Sequence, residues 1–229
     1  FILAENCNGA LLGYISALSN GVVPLIISNN TEQSLFDTLY GKYQPEFLWL
    51  PTNKIAGFNL KDTLYSTNGY SLVRTGFDTP NLYEDLSLLL PTSGSTGSPK
   101  LVRHSYRNIE ANAENVMNLF GLTSSERAMA ALPMHYTMGL SVIASHLYAG
   151  ATLLLCGKSL LDPVFWNMLR DGATSFTGVP YSFELLAKLR FFRMNLPELK
   201  IITQGGGKLT EDMWLQLSSY AINKGKRFI

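Results

Sequence analysis

The chain has 229 residues, 46% apolar and 15% charged, a globular balance that allows a sizeable core in one large or two small α/β units. Its formal charge of +1 gives no electrostatic reason to expect a nucleic acid or an anionic membrane as partner, so any polyanion has to be met locally. The two cysteines, Cys7 and Cys156, lie far apart with no C-x-x-C spacing, which reads as free thiols in a reducing, cytoplasmic setting.

Helical and strand patterns alternate along the sequence. Phe1 to Ala4 reads as a strand already under way, and Leu11, Leu12, Ile15 and Leu18 then recur at helical spacing until Asn20-Gly21. Val22 to Ile27 reads as a short buried strand, Thr31 as the cap of a helix carrying Leu35, Leu39 and Tyr40, and Phe47 to Leu50 as a further strand. This order favours a largely parallel sheet. Residues 51 to 85 are punctuated by Asn53, Gly57, Asn59, Asn68, Gly69, Gly76, Pro80 and Asn81 around β-prone pieces such as Tyr70 to Arg74, and so mark a junction. The expected division is 1–85 and 86–229.

Beyond the junction, Ser105 is placed to cap a helix with Ile109, Ala113, Val116, Met117 and Phe120 on its apolar side, closed by Gly121. Arg127 to Leu132 is expected to be a strand, Gly139 to Tyr148 a helix and Ala151 to Cys156 a buried strand. The apolar passage 139–157 carries Ser141, Ser145, His146, Gly150 and Thr152, which argues against a lipid-spanning helix. Asp162-Pro163 starts a helix, Thr174 to Val179 is a strand, Tyr181 to Leu189 a helix, and Lys200 to Gln204 a strand running into Gly205-Gly206-Gly207. Thr210-Glu211-Asp212 opens the last helix, with acidic residues against its positive end. Lys226 to Ile229 reads as a strand just beginning, so the expectation is a piece of a longer protein.

One stretch breaks the apolar flow: Thr92-Ser93-Gly94-Ser95-Thr96-Gly97-Ser98-Pro99-Lys100, set between Leu86 to Pro91 and Leu101-Val102, two segments that both look buried. Its glycines remove the Cβ atoms that keep ligands from the backbone and let successive N–H groups form an anion nest. The hydroxyls add donors and Lys100 a mobile positive charge, a combination suited to a polyphosphate. The P-loop spacing does not fit, because Ser98-Pro99 separates Gly97 from Lys100, and the dinucleotide turn lacks its third glycine. A solvated linker is the plain alternative.

These nine positions are similar to the signature loop of the adenylate-forming (AMP-binding) superfamily, which includes acyl-CoA synthetases, peptide-synthetase adenylation domains and luciferases. Tyr14 to Pro24 looks like that family's helix-turn-strand, Ala131 to Leu140 like its substrate-side motif, and Thr203 to Leu209 like its glycine turn beside adenine and acyl group. The resemblance implies an α/β fold of parallel-rich sheets flanked by helices in a layered αβαβα arrangement, here as an incomplete N-terminal domain. It implies activation of a carboxylic acid with ATP and Mg²⁺ to an acyl-adenylate and pyrophosphate, then transfer to a thiol of coenzyme A or an acyl carrier protein. The loop residues Thr92, Ser93, Gly94, Ser95, Thr96, Gly97 and Lys100 would hold the phosphates, Lys100 in an electrostatic and not a proton-transfer role. Gly205, Gly206 and Gly207 would approach the adenine, and Tyr136, Gly178, Val179 and Gln204 the acid.

The family's aromatic-Gly-x-Thr-Glu run, whose glutamate binds Mg²⁺, is not among these residues, nor are the later aspartate and lysine, so the chain by itself is expected to be inactive. Met134 to Met138 offers no carboxylate to pair an α-ammonium group, which disfavours an amino acid and favours an acyl, aryl or hydroxy acid. Bland readings stand beside these: Tyr136 and Met138 as core packing, His135 as a structural histidine, the glycine triplet as an ordinary turn. His104, His135 and His146 share no metal-ligand spacing, no G-x-S-x-G elbow is present, and no basic residues interleave the aromatics as a nucleic-acid surface requires. The rivals from other classes are a non-catalytic binding or scaffold protein with the same fold, and an unrelated phosphate-loop kinase.

Overall fold

The computed structural model describes residues 1–58, 62–78, 81–92 and 100–229. The chain divides into two compact α/β units, Phe1–Ile109 and Glu110–Ile229.

In the first unit, strand β1 (Ile2–Ala4), helix α1 (Asn8–Ser19), strand β2 (Ile26–Ser28), helix α2 (Gln33–Tyr43) and strand β3 (Phe47–Pro51) follow the expected alternation. β1 pairs in parallel with both β2 and β3. The junction segment supplies a turn of 3-10 helix and then β4 (Asp62–Thr67) and β5 (Tyr70–Arg74), which add antiparallel strands in the order β2-β1-β3-β5-β4. Asn68 and Gly69 both take positive φ, 48° and 74°, the backbone that a two-residue hairpin turn between twisted strands requires. Leu3, Leu25, Ile27, Phe36, Leu39, Leu48, Leu50 and Val73 form the core of this unit.

Several local expectations shift. The face of α1 that packs inward is Gly9, Ala10 and Tyr14, while Leu12 and Ile15 are exposed. Glycine decides this, because a Cβ on Gly9 would lie 2.5 Å from the Asn68 carbonyl oxygen and one on Gly13 would lie 2.2 Å from the Trp49 ring. The helix thus sits closer to the sheet than leucines allow, and Trp49 Nε1 donates to Gly9 O at 2.8 Å. Thr31 does not cap α2. Its hydroxyl donates to Ser28 O at 2.8 Å, and Glu32 at the cap position makes no side-chain bond to the helix. Val22 is half exposed, because the strand begins only at Ile26.

Strands β6 (Leu86–Pro91) and β7 (Leu101–Ser105) form an antiparallel hairpin around residues 92–100. Leu88 and Leu90 are buried, whereas Val102 on the returning strand is 40% exposed, so only one of the two flanks is buried as expected. Leu89 bridges Leu25 and its N–H reaches Pro24 O at 3.0 Å, joining the hairpin to the first unit. The contact boundary lies at 109/110.

Helix α3 (Tyr106–Phe120) runs across that boundary, and its start is a reciprocal cap in which Asn108 N donates to Ser105 Oγ and Ser105 N to Asn108 Oδ1. The second unit continues with β8 (Arg127–Ala130), α4 (Thr137–Tyr148), β9 (Thr152–Leu155), α5 (Pro163–Arg170), β10 (Ser175–Gly178), α6 (Pro180–Lys188), β11 (Ile201–Gln204), α7 (Glu211–Asn223) and β12 (Arg227–Phe228). Its sheet is parallel throughout, in the order β12-β11-β10-β8-β9. Asp162 and Thr210 cap α5 and α7 through Val164 N and Met213 N, as their positions imply. β9, expected to be buried, is an edge strand and only half buried. Met129, Phe165, Phe176, Phe183, Phe191, Ile202 and Leu217 fill the core between helices and sheet. No helix among the described residues is long and apolar enough to cross a membrane.

Gly9→Ala tests the close approach of α1. Better helix propensity favours the variant by about 1 kcal/mol, but overpacking against Tyr70 and the Asn68 carbonyl costs about 1–3 kcal/mol. A net loss of up to about 2 kcal/mol is expected in urea unfolding, and a raised midpoint would show that the helix has room.

Candidate active site

The expected site residues fall on both units. In the first, the β6–β7 pairing runs to Pro91 opposite Leu101, and Thr92 N donates to Lys100 O at 2.9 Å. Thr92 and Lys100 thus face each other at the neck of the hairpin, and both are exposed. Ser93, Gly94, Ser95, Thr96 and Gly97 lie outside the described residues. The neck is anchored from below by Ser87 Oγ, which donates to His104 O at 2.8 Å.

In the second unit, the parallel register sets Gly178 beside Gln204 at the carboxyl ends of β10 and β11. Open α/β sheets bind ligands outside these ends. Gly205 N donates to Gly178 O at 3.2 Å, and the Gln204 amide Nε2 donates to Gly205 O at 3.0 Å and Gly207 O at 2.8 Å. Gln204 is therefore spent on bracing the turn from within, and its amide nitrogen is not presented to a ligand. Gly206 takes φ +76°, a conformation that a Cβ would strain.

The glycine turn is not bare. Val179 Cγ1 would lie 3.1 Å from a Cβ on Gly206, Pro180 Cγ 3.2 Å from one on Gly207, and Met138 Cε 1.9 Å from one on Gly205. Gly178 is buried, with the Phe183 ring 2.9 Å from where its Cβ would stand, so this glycine admits a core aromatic. Gly178, Val179 and Gly205 to Gly207 are brought together, and Met138, for which core packing was the bland alternative, joins them. Its only advance signal was its place inside the substrate-side motif.

Tyr136 stands at the start of α4, half exposed, with its ring 4.4 Å from that of His135. Among the described residues His135 Nδ1 and His104 Nε2 are buried without a hydrogen-bond partner, and burial lowers the pKa of both rings. His146 is a satisfied core histidine: Nδ1 lies 2.8 Å from Val142 O and Nε2 3.2 Å from Ser175 Oγ. Desolvation lowers its pKa, partly offset by the Val142 carbonyl and the Glu126 carboxylate. Around it Thr174 Oγ1 donates to Glu126 Oε2 and accepts from Arg127 N, a buried network near the amino ends of β8 and β10. Among the described residues no group of three or more His, Cys, Asp or Glu side chains is placed to hold a metal ion.

Comparison with known proteins decides the family, since the model of the AMP-binding enzymes matches residues 41–227. The chain belongs to the AMP-binding enzyme family. This span covers the β6–β7 hairpin, Tyr136, Gly178-Val179 and the glycine turn. Curated relatives include a feruloyl-CoA synthase of Amycolatopsis, 31% identical over 156 residues, covering 66% of this chain and 30% of the relative. A 2-succinylbenzoate–CoA ligase of Enterococcus faecalis is 30% identical over 153 residues, covering 67% of this chain and 32% of the ligase. Among solved structures, wild-type E. coli MenE with a bound analogue of OSB-AMS superposes with a TM-score of 0.71 at 22% identity, covering 99% of this chain and 47% of MenE. ATP-bound MatB from Rhodopseudomonas palustris gives 0.76 at 20% identity, with coverages of 100% and 48%. The AMP-binding chain thus spans about a third of these curated relatives and about half of the structural neighbours.

All three histidines of this AMP-binding chain have pKa values lowered from 6.5 by burial. The unfolded chain then binds more protons in the window below 6.5, so stability is full above it and falls as pH drops toward the lower folded values. Urea midpoints at about pH 7.5 and about pH 5.5 should differ in that direction, and His146→Gln should flatten the difference.

Proposed function

We propose that this chain carries the phosphate loop and part of the acid-binding wall of an enzyme that activates a carboxylic acid with ATP. The observation that carries this reading is the family match over residues 41–227, within which the hydroxyl- and glycine-rich run 92–100 is rooted in an exposed hairpin neck. A carboxylate oxygen attacks the α-phosphorus, the bond to pyrophosphate breaks, and an acyl-adenylate forms. A thiol of coenzyme A or of a carrier protein then attacks the acyl carbon and AMP leaves.

The physical difficulty is approach of one anion to another. Donors and cations fixed before the reaction lower that repulsion and hold the in-line geometry. On this reading the Thr92, Ser93 and Thr96 hydroxyls, the amides around Gly94 and Gly97, and Lys100 hold the β- and γ-phosphates and the departing pyrophosphate. The exposed position of Lys100 suits a mobile counter-charge. Gly205 to Gly207 lie along the adenine, and Gly178, Val179 and Tyr136 along the acid. The described residues include no cluster suited to Mg²⁺. When bound, Mg²⁺ supplies charge neutralisation at the phosphates, and the resemblance puts its glutamate in a run not among these 229 residues. Cys7 and Cys156 are both free thiols, which fits a reducing, cytoplasmic setting.

Pyrophosphate release by the full-length protein, screened against a panel of carboxylic acids, tests this. At least one acid should drive release, and Lys100→Ala should lower kcat/KM for ATP about 10- to 100-fold, the worth of one charged hydrogen bond. Unchanged turnover in that variant would refute the role given to Lys100. The 229-residue chain alone is expected to show no ATP–pyrophosphate exchange, and exchange at the full-length rate would overturn the assignment of essential groups to residues outside it.

A further inference from the structure

The two strands of the β6–β7 hairpin are held in place by different means. On β6, Leu88 and Leu90 are buried, and Leu89 is tied to the first unit by its bridge to Leu25 and its N–H bond to Pro24 O. Register is firmly specified where one face of a strand is buried, so β6 is set by its own leucines. No residue of β7 is fully buried. Val102 and Arg103 at its centre are exposed, and Leu101 packs on the core only in part. A slip of β7 by one residue thus gives up little burial, and something other than packing has to fix it.

The ladder is out of step at its root. Leu86 faces Ser105 and Leu88 faces His104, which leaves Ser87 as an extra residue, a β-bulge on β6. Bulges bend a strand and re-aim the side chains beyond them. Ser87 is wholly buried, and its hydroxyl donates across the bulge to the His104 carbonyl at 2.8 Å. An apolar residue here would accept any neighbour on β7, whereas this hydroxyl selects one carbonyl. The next residue, Ser105, is locked by its reciprocal cap with Asn108, so β7 is pinned at two consecutive residues where α3 begins. From that pin the pairing counts forward, Leu89 with Arg103, Leu90 with Val102 and Pro91 with Leu101, to the bond from Thr92 N to Lys100 O at 2.9 Å.

We infer that Ser87 is a positioning residue for Lys100: by holding the bulge, and with it the register of β7, it sets where this lysine stands beside Thr92. This rests on the carboxylate-activation reading, in which Lys100 meets the phosphates of ATP. A slip of one residue moves Lys100 about 3.3 Å along the strand and turns its side chain to the other face. Misplacements of about 1 Å already cost up to about 100-fold in rate, so a lysine carried on an otherwise loosely specified strand needs such a pin.

The test uses the full-length protein with an acid that drives pyrophosphate release. Ser87→Ala should lower kcat/KM for ATP about tenfold, no more than Lys100→Ala does, and leave KM for the acid within about twofold. In the Lys100→Ala background the same change should cost less than about twofold, because its effect passes through the lysine. Amide hydrogen exchange reads the register directly. The Thr92 amide should lose at least about tenfold of its protection in Ser87→Ala, while the Leu89 amide, bonded to Pro24 O, keeps its own. If the alanine variant does not fold, Ser87→Cys, nearly isosteric but a weak donor, takes its place with at least about threefold expected in both readouts. Unchanged kcat/KM for ATP in the folded variant, an undiminished loss in the Lys100→Ala background, or an unchanged Thr92 amide would overturn the inference while leaving carboxylate activation intact. Failure of every acid to release pyrophosphate from the wild type would instead overturn the activation reading, and the inference with it.

Discussion

Strands β10 and β11 run parallel with Gly178 beside Gln204, and the turn that follows is tied back across this pairing by Gly205 N and by the Gln204 amide. Most of what the second unit offers to a ligand depends on that tie. Parallel pairing brings two strand ends to the same edge of the sheet, where backbone groups run out of ladder partners. Gln204 satisfies two of the carbonyls from the side. The turn is thereby rigid at the place where ligands of such sheets collect. The packing beneath it is dense: Phe176 and Phe183 meet edge to face, and Gly178 lies where any side chain would collide with Phe183.

The opposite end of the same sheet has a different character. Glu126, Thr174, His146 and Ser175 are buried there and joined by hydrogen bonds to one another and to backbone. Buried polar groups are tolerable only when so satisfied, and the result is a polar staple between α4 and the strands. Since α4 also carries Met138 on its first turn, the staple at its last turn helps to fix where that methionine can lie. His135 contrasts with this arrangement, having beside Tyr136 a buried nitrogen that finds no partner among the described residues.

Much of the element order was legible in the sequence because strand and helix periods alternate cleanly and the caps at Ser105, Asp162 and Thr210 carry their own chemistry. The faces were less legible. Leucines on α1 suggested an inward stripe, but the glycines at 9 and 13 allow a closer approach, and Trp49 and Tyr70 take the space. Thr31 had the right chemistry for a cap, yet its hydroxyl found Ser28 O first. The glycine triplet was visible as a turn with a family likeness, whereas the methionine filling it was not, since sequence spacing does not say which of several apolar residues will point at a given turn.

From sequence alone came the α/β alternation, the polar loop, the family likeness and the absence of a carboxylate in the substrate-side motif, all properties carried by residue type and local order. Tertiary structure decided that β6 and β7 pair as an antiparallel hairpin in the first unit, that Gly178 stands beside Gln204, and that Met138 covers Gly205. Each of these depends on a strand register or a side-chain approach between segments distant along the chain. Such distances arise only when the sheets close and the packed side chains compete for the same space.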